Sequence, residues 1–390
     1  MSAKQEHPDR FRCAVFPAAG APLEIHSVEY RAPAKGKVTL QTRACFLSRN
    51  DAVAALGLRR PAKFPVTPGQ AVLGRIVQVG TGAREGGGSM LASVMGKLNI
   101  GGDRDKDKDW SAGDLHHKFK PGEMVIASVT HQGLGEYCTA DATSTCAVSK
   151  DMHYEQTVAA VFGGRVLSVY ERYKTDHERK STELLLAASS QCQVHADGSG
   201  AGCNGLVVIY GSGGYASLAY HILSNEAQGE RVVLVTPSQM HKNQDYGVPS
   251  NDFLQCGTDN VDDALRKLGG VKLAICVDQP DAGFAEILAA TCAGAEVSVV
   301  TMSGNGTVYI PVGALLSRSL AVRGPPVLTA QTMHRALHLC EKHALHRHFA
   351  VRKHAFDVDG VRACWDHTLR SDKNFYANAV VFDEGKAVAM

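Results

Sequence analysis

Three glycines stand in the run YGSGGYASLAYHIL, which spans residues 210–223 and follows the apolar run LVVI. Gly211, Gly213 and Gly214 leave almost no side chain between a predicted strand and a predicted helix. A backbone without side chains lets N–H groups approach an anion closely, and the start of a helix adds a partial positive charge. The run therefore predicts either a site for a phosphate group or a simple strand-to-helix turn.

The sequence after this turn favours the phosphate site. The apolar runs ERVVLVT, VKLAICVD and AEVSVVTM alternate with helical segments such as AGFAEILAATC. Apolar strands that alternate with helices indicate a parallel sheet covered on both faces, and the glycine turn then matches the dinucleotide fingerprint of a Rossmann fold. Ala216 stands at the place of the third glycine, where a small residue allows the helix to pack closely on the strand.

The end of the next predicted strand bears on the choice of cofactor. A carboxylate there would bind the ribose of NAD, but Thr236 ends ERVVLVT, and Lys242 follows a few residues later. Because no carboxylate repels a ribose 2′-phosphate, and because a lysine could hold it, the sequence favours NADP(H) over NAD(H). Lys242 is equally typical of a solvated helix residue. The predicted cofactor-binding residues are Gly211, Gly213, Gly214, Ala216, Thr236 and Lys242.

Composition limits the possible functions. The chain has 390 residues, of which 44% are hydrophobic and 21% charged, and its net charge is +2. These values are typical of a globular protein with two or three domains, and they argue against binding to nucleic acid or a membrane through bulk charge. The polar start MSAKQEHPDRFR lacks the apolar core of a signal peptide, so we expect a cytoplasmic protein. Its 11 scattered cysteines, with no CxxC pair, indicate free thiols.

Three parts of the chain differ in character. Residues 1–160 contain strand-like runs such as KVTLQTRACF and VLGRIVQVG, and residues 161–330 contain the alternating strands and helices. Residues 331–390 are the C-terminal part. Two stretches rich in glycine or in charge, 83–118 and 188–204, are predicted to be surface insertions.

The order of these parts resembles the medium-chain dehydrogenase/reductase superfamily. KFPVTPGQAVLGRIVQVG is similar to the segment around that family's PGHE motif, FKPGEMVIAS to its PGDRV strand, and LAVRGPPVLTAQTMHRALHLCEKHAL to its last strand and following helix. The resemblance covers nearly the whole chain apart from the two insertions. It implies an α/β protein with a GroES-like, β-rich catalytic domain and a Rossmann domain with a doubly wound parallel sheet. Residues 331–390 would then return to the first domain.

The sequence is most similar to the zinc alcohol dehydrogenase branch, but it lacks that branch's zinc ligands. The family's Cys-His-Thr-Asp run corresponds to SRND at residues 48–51, so Ser48 replaces the ligand cysteine. PGHE corresponds to PGQA, so Gln70 replaces the histidine, and the third ligand falls at about Gly164. A hydroxyl, an amide and a glycine are poor zinc ligands, and the region of the family's four-cysteine lobe contains no cysteine. We therefore expect neither zinc site.

Two functions fit a metal-free member of this superfamily. The first is a zinc-independent, NADPH-dependent reductase of enones, quinones or related carbonyl compounds, and the resemblance implies Ser48, Asn50 and Gln70 as its catalytic residues. Ser48 or Asn50 could donate a hydrogen bond to a carbonyl oxygen as charge develops there. Alternatively, both are turn residues before a helix that Asp51 caps. The second function is that of a non-catalytic protein that serves as a binding or structural subunit of a larger assembly.

Two further expectations concern tyrosines and assembly. Tyr137 and Tyr215 are either additional hydrogen-bond donors or packing residues. The resemblance also implies a homodimer, because the edge strands of two Rossmann sheets commonly pair in this superfamily, and an exposed edge otherwise invites uncontrolled pairing. The segments TVYIPVGALL and SLAVRG are the predicted places for this pairing.

Overall fold

A computed structural model describes residues 8–57, 64–81, 119–129, 133–190, 205–227, 229–237, 247–278, 283–300, 310, 312–348, 350–369 and 376–382. The predicted insertion 83–118 lies outside these ranges, and so does 188–204 except for residues 188–190, which end a helix. None of the helices in these ranges combines the length and the apolar character that a membrane crossing requires.

Two main sheets and a hairpin make up the strands of the described chain. The strands are β1 Arg10–Val15, β2 Glu24–Glu29, β3 Lys37–Leu47, β4 Ala71–Val79, β5 Met124–Ser128, β6 Tyr137–Asp141, β7 Thr145–Ala147, β8 Leu206–Tyr210, β9 Val232–Thr236, β10 Phe253–Gln255, β11 Val271–Cys276, β12 Thr291–Val299, β13 Ala321–Arg323, β14 Ala350–Ala355 and β15 Tyr376–Val381. The α-helices are α1 Arg49–Ala55, α2 Tyr154–Val158, α3 Gly164–Ser190, α4 Gly213–Glu226, α5 Val261–Lys267, α6 Phe284–Ala289, α7 Val312–Arg318, α8 Ala330–Lys342 and α9 Val358–Leu369.

The first sheet joins the two ends of the described chain. Its strand order is β14-β15-β3-β4-β5-β7, β6 also pairs with β3, and β1 and β2 form a separate hairpin. Side chains of β3 alternate between two apolar clusters: Leu40 and Leu47 belong to one, and Ala44 and Phe46 to the other. A strand that is buried on both faces requires such an apolar run. Because β15 pairs with β3, the C-terminal strands complete the N-terminal sheet.

The second sheet is parallel, with the order β10-β9-β8-β11-β12-β13. Along β8, Val207 and Ile209 face one apolar cluster, while Val208 and Tyr210 face another. All four side chains are fully buried, which explains the unbroken apolar run LVVIY, since each large apolar side chain contributes about 1.5–3 kcal/mol when it is buried. The predicted β-rich first part and the doubly wound parallel sheet are both confirmed.

The strand order of the parallel sheet reverses at β8. The chain passes from β8 to β9 on one side, whereas β11 lies on the other side of β8. Ligands of open α/β sheets bind outside the carboxyl ends of the strands at such a point. Helix α1, which follows β3 of the first sheet, reaches this edge, because the Asn50 side-chain amide donates to the Val300 carbonyl, 3.3 Å away, just after β12. The topology therefore predicts a ligand-binding crevice at this edge, beside α1.

A π-helical turn, Ala159–Gly163, connects α2 to the long helix α3. The adjacent glycines allow the neighbouring segments to pack closely here. A Cβ at Gly163 would lie 2.2 Å from the Ile222 side chain, and a Cβ at Gly164 would lie 2.9 Å from the Leu328 side chain. π-Helical turns occur frequently at functional sites.

Candidate functional site

The glycine turn combines a close contact on one side with an open position on the other. A Cβ at Gly211 would lie 2.7 Å from the Val277 side chain, so this position needs a glycine for packing against the end of β11. Gly213 begins α4 with a φ of +70°, and a Cβ there would meet nothing within 4 Å. Ala216 is fully buried beneath the turn, as its small size predicts. The turn therefore leaves space in front of the first turn of α4.

An arginine that follows β3 of the first sheet and a carboxylate that follows β11 of the parallel sheet meet beside this space. Ser212 precedes α4, but its hydroxyl does not cap the helix; it donates to Asp278, with 2.6 Å between the oxygens. The guanidinium of Arg49, at the start of α1, pairs with the other oxygen of Asp278. Both side chains are largely buried, with exposures of 19% for Arg49 and 12% for Asp278. Nothing local in the sequence signals this pair, because its members are 229 residues apart.

Asp51 holds the SRND turn against the PGQA segment. Its carboxylate is 3% exposed and accepts hydrogen bonds from the Ser48 amide at 2.8 Å, the Ser48 hydroxyl at 3.2 Å and the Gly69 amide at 2.7 Å. The helix begins at Arg49, so Asp51 is its third residue, and its side chain bonds back to the Ser48 amide at the start of the helix. Burial raises the pKa of Asp51, and the bonds from Ser48 and Gly69 and the charge of Arg165 oppose this rise.

Gln70 is paired with an arginine that the sequence did not single out. Arg165 lies in the first turn of α3, and its Nη1 donates to the side-chain oxygen of Gln70 at 2.7 Å. Its guanidinium also lies over the Phe162 ring, 5.6 Å from the centroid. The predicted third metal position, Gly164, faces elsewhere, since a Cβ there would contact Leu328. Arg165, the residue after Gly164, is therefore the one whose side chain contacts Gln70.

These contacts do not suit a catalytic zinc ion. The Ser48 hydroxyl donates to Asp51, and the Gln70 oxygen accepts from Arg165, so neither side chain is arranged as a metal ligand. A guanidinium, which stays positively charged at all ordinary pH values, stands beside Gln70 and would repel a second cation. In the part of the chain that the structure describes, no group of three or more His, Cys, Asp or Glu side chains could hold a metal ion. The residues at this position therefore do not fit a catalytic zinc ion.

Tyr215 lies in the first turn of α4 and lines a small cavity together with Val277 and Val300, which follow β11 and β12. Its hydroxyl is buried and forms no hydrogen bond with the described residues, and its ring lies 4.7 Å from the Phe162 ring. Burial raises the pKa of Tyr215, and the negative charge of Asp51 raises it further, while the charges of Arg49 and Arg165 act in the opposite direction. A small apolar cavity with room for about one water molecule adjoins the ring.

Three other residues were predicted for the site: Asn50, Thr236 and Lys242. The Asn50 amide is directed to the Val300 carbonyl, as described above. Thr236 ends β9, is fully buried, and donates a long hydrogen bond of 3.5 Å to the Leu254 carbonyl. Lys242 lies outside the described residues. The structure therefore brings Ser48 and Gln70 together through Asp51 and the adjoining Gly69 amide, with Asn50 at the domain contact and Thr236 at the end of the neighbouring strand.

Tyr137 belongs to a different part of the molecule. It lies on β6, where its ring makes edge-to-face contacts with Phe11 at 5.5 Å and Tyr30 at 5.7 Å, measured between centroids. Such pairs stabilise aromatic clusters by about 0.5–1.5 kcal/mol beyond the area that they bury. These contacts favour the packing role for Tyr137.

Known structures share this architecture, although no protein-family model and no curated protein sequence matches the chain. A cinnamyl alcohol dehydrogenase from Sorghum bicolor is 15% identical, with a TM-score of 0.62 over 98% of this chain and 100% of the other. A quinone oxidoreductase from Pseudomonas syringae pv. tomato is 16% identical, with a TM-score of 0.61 over 95% of this chain and 99% of the other. The mycobacterial protein Rv1454c, solved with NADPH, is 17% identical, with a TM-score of 0.61 over 95% and 99%. The chain therefore shares the fold of these alcohol dehydrogenase and quinone oxidoreductase structures, with a β-rich sheet and a parallel sheet.

Proposed function

We propose that this protein is a zinc-independent, NADP(H)-dependent oxidoreductase that reduces enones, quinones or related carbonyl compounds. The observation that supports this most is the open position at Gly213, at the start of α4 and at the point where the sheet order reverses. Backbone amides at a helix start and the positive charge of Arg49 suit a diphosphate. The fold similarity to a quinone oxidoreductase and to a protein solved with NADPH agrees with this proposal.

The preference for NADP(H) rests on the end of β9. Thr236 stands where a carboxylate would bind the ribose of NAD, so nothing at this position repels a 2′-phosphate. Lys242, five residues after Pro237, is the residue that we propose to bind that phosphate. NADPH should therefore bind more tightly than NADH. A fluorescence titration in which NADH binds more tightly would refute this part of the proposal.

For the proposed reaction, the protein must orient the substrate against the nicotinamide and surround the substrate's oxygen with polar groups. The bound nicotinamide would supply a hydride to an activated carbon of the substrate, and a proton from water would complete the reduction. We propose Ser48, Asn50 and Gln70 as the residues around the substrate. The Ser48 hydroxyl donates its hydrogen bond to Asp51, so toward a substrate it would accept a hydrogen bond. The Asn50 amide donates to the Val300 carbonyl and the Gln70 oxygen accepts from Arg165, so a bound substrate would compete with these contacts.

One experiment tests the enzyme proposal. The purified protein is titrated with NADPH by nicotinamide fluorescence, and oxidation of NADPH is then followed with a panel of enones and quinones. Binding together with substrate-dependent oxidation supports a reductase. The absence of both would refute the proposal.

A non-catalytic role is the second candidate, and the crevice itself gives a reason for it. Asp278 places a carboxylate beside the helix start, Arg49 and Ser212 both bond to it, and the Tyr215 ring extends into the same crevice. If these contacts persist in solution, they hold the two domains together without a ligand. The same titration distinguishes the two candidates, since the non-catalytic protein would not bind NADPH.

We also propose that the protein forms a homodimer through the edge of the parallel sheet. Strand β13 is the edge strand on this side, and the apolar side chains of Leu316 on α7 and of Val327 are 78% and 80% exposed. Pairing of two β13 strands would cover an edge that otherwise stays open to other chains. Light scattering of the purified protein should give twice the chain mass of 41.6 kDa.

A further inference from the structure

The Arg165 side chain is held in place by its neighbours. It follows the π-helical turn Ala159–Gly163, it bonds to Gln70, and it stacks on the Phe162 ring. The side chain is half-buried, and Gln70 is only 8% exposed. A guanidinium held by a hydrogen bond and a ring contact loses little further freedom when it binds a ligand.

The Phe162 ring also contacts a second polar side chain. The Arg165 guanidinium lies 5.6 Å from the centroid of this ring, and the centroid of the Tyr215 ring lies 4.7 Å from it, so Phe162 contacts both side chains. The Tyr215 hydroxyl is buried and without a hydrogen-bond partner among the described residues. A buried hydroxyl without a hydrogen-bond partner is unfavourable, and this cost is offset when a ligand atom accepts a hydrogen bond from it. Such a group indicates that the crevice accepts a polar atom.

We propose that Arg165 takes the role that a metal ion has in zinc-dependent members of this fold: it binds the carbonyl oxygen of the substrate and stabilises the negative charge that develops there. This inference rests on the proposed function and narrows its substrate class. The substrate is a conjugated enone or quinone, in which addition of a hydride to carbon moves an electron pair onto the oxygen as an enolate or phenolate. Arg165 holds this anionic oxygen, Tyr215 donates a hydrogen bond to it, and a proton from water then neutralises the product.

Positive charge suits this task better than the neutral groups nearby. A hydrogen bond between two charged groups is about twice as strong as one between neutral groups, and a water-poor crevice strengthens it further. The Ser48 hydroxyl and the Asn50 amide, which contact Asp51 and Val300, are neutral, whereas the Arg165 guanidinium carries a full positive charge and is therefore better suited to an anionic oxygen. Arg165 is thus a catalytic residue of the proposed reaction, and Gln70 is the residue that positions it.

The probe for this inference is para-nitrophenol, whose ionised form is yellow and resembles the enolate or phenolate product. Binding is measured by absorbance with the purified protein without added cofactor, and nitrobenzene serves as the uncharged analogue. We expect the phenolate to bind about tenfold more weakly to Arg165→Gln than to the unmodified protein, while nitrobenzene binds both equally. Equal phenolate affinity for both proteins would overturn the inference.

Two further variants make this result robust. Gln70→Glu should keep the bond to Arg165 but neutralise its charge, so it should also weaken phenolate binding even if Arg165→Gln folds poorly. Unchanged phenolate binding in Gln70→Glu would contradict the role of Arg165. Arg179→Gln is the matched control, because it removes an exposed arginine from the same helix about 21 Å further along the axis, and it should bind the phenolate normally.

A parallel NADPH titration separates the two proposals. If NADPH binds but phenolate affinity does not depend on Arg165, the enzyme proposal stands and the role of Arg165 is refuted. If NADPH does not bind, the enzyme proposal fails and the catalytic role of Arg165 fails with it, whatever the phenolate result. If both bind and Arg165→Gln loses the phenolate preference together with NADPH-dependent turnover, both proposals are supported.

Discussion

Replacing Gly213 by valine tests the proposed diphosphate site directly. The residue has a φ of +70°, which disfavours a side chain, so the substitution should lower the free energy of unfolding by about 1–2 kcal/mol. No atom lies within 4 Å of the new Cβ, so the fold itself offers no steric conflict at that atom. The valine side chain would instead occupy the space in front of the first turn of α4, where we propose that the diphosphate binds.

The effect on cofactor affinity should be larger than the effect on stability. Hydrogen bonds to a charged group contribute about 1.5–3 kcal/mol each, so losing two amide contacts to the diphosphate would weaken NADPH binding by roughly 100-fold or more. The assay is a fluorescence titration of both proteins with NADPH, accompanied by urea denaturation to confirm that the variant is folded.

Gly294→Val is the matched control for this comparison. Gly294 has a φ of +73°, a Cβ there also meets nothing within 4 Å, and the residue lies near the start of β12, away from the carboxyl ends of the strands. The backbone cost should therefore be similar, at about 1–2 kcal/mol, without any change in NADPH affinity. Equal NADPH affinity in the two variants would refute the assignment of Gly213 to the diphosphate site.

Four other outcomes are expected. Asp278→Asn should bind NADPH about tenfold more tightly, as seen by calorimetry, because it removes a negative charge beside the diphosphate; weaker binding would contradict the proposed position of the diphosphate. Elemental analysis should find no stoichiometric zinc, whereas one zinc per chain would contradict the alignment of Ser48 and Gln70 with the ligand positions. Burial raises the pKa of Asp51 in the folded protein above its usual 3.8. Between pH 3.8 and this raised pKa the folded protein binds more protons than the unfolded chain, so the free energy of unfolding falls as pH rises. Denaturation at successive pH values should show this fall for the unmodified protein and not for Asp51→Asn. Leu316→Asp should yield monomers in light scattering if α7 and β13 form the dimer contact, and an unchanged dimer would place the contact elsewhere.

Much of the fold is encoded in local patterns, which explains why it could be predicted. LVVIY is apolar at every position because β8 is buried on both faces, and the glycines follow it because Gly211 packs against Val277. Ala216 is small because it lies beneath the turn. Such constraints act within a few residues, so they leave a signal in the sequence.

The charged contacts of the site left no comparable signal. Arg49 and Asp278 are 229 residues apart, and Gln70 and Arg165 are 95 residues apart, so only the folded chain brings each pair together. Arg165 also follows a π-helical turn, which a regular helical pattern does not reveal. The resemblance implies a metal ligand at about Gly164, whereas in the structure the next residue, Arg165, places a positively charged side chain beside Gln70.

A crystal structure of the protein soaked with NADPH would test the central claim most directly. We expect electron density for a diphosphate in front of Gly213 and Gly214, with the guanidinium of Arg49 turned from Asp278 toward the phosphates. A crevice that contains no dinucleotide, with Arg49 still paired to Asp278 and the Tyr215 ring in place, would contradict the proposal that this protein uses a nicotinamide cofactor.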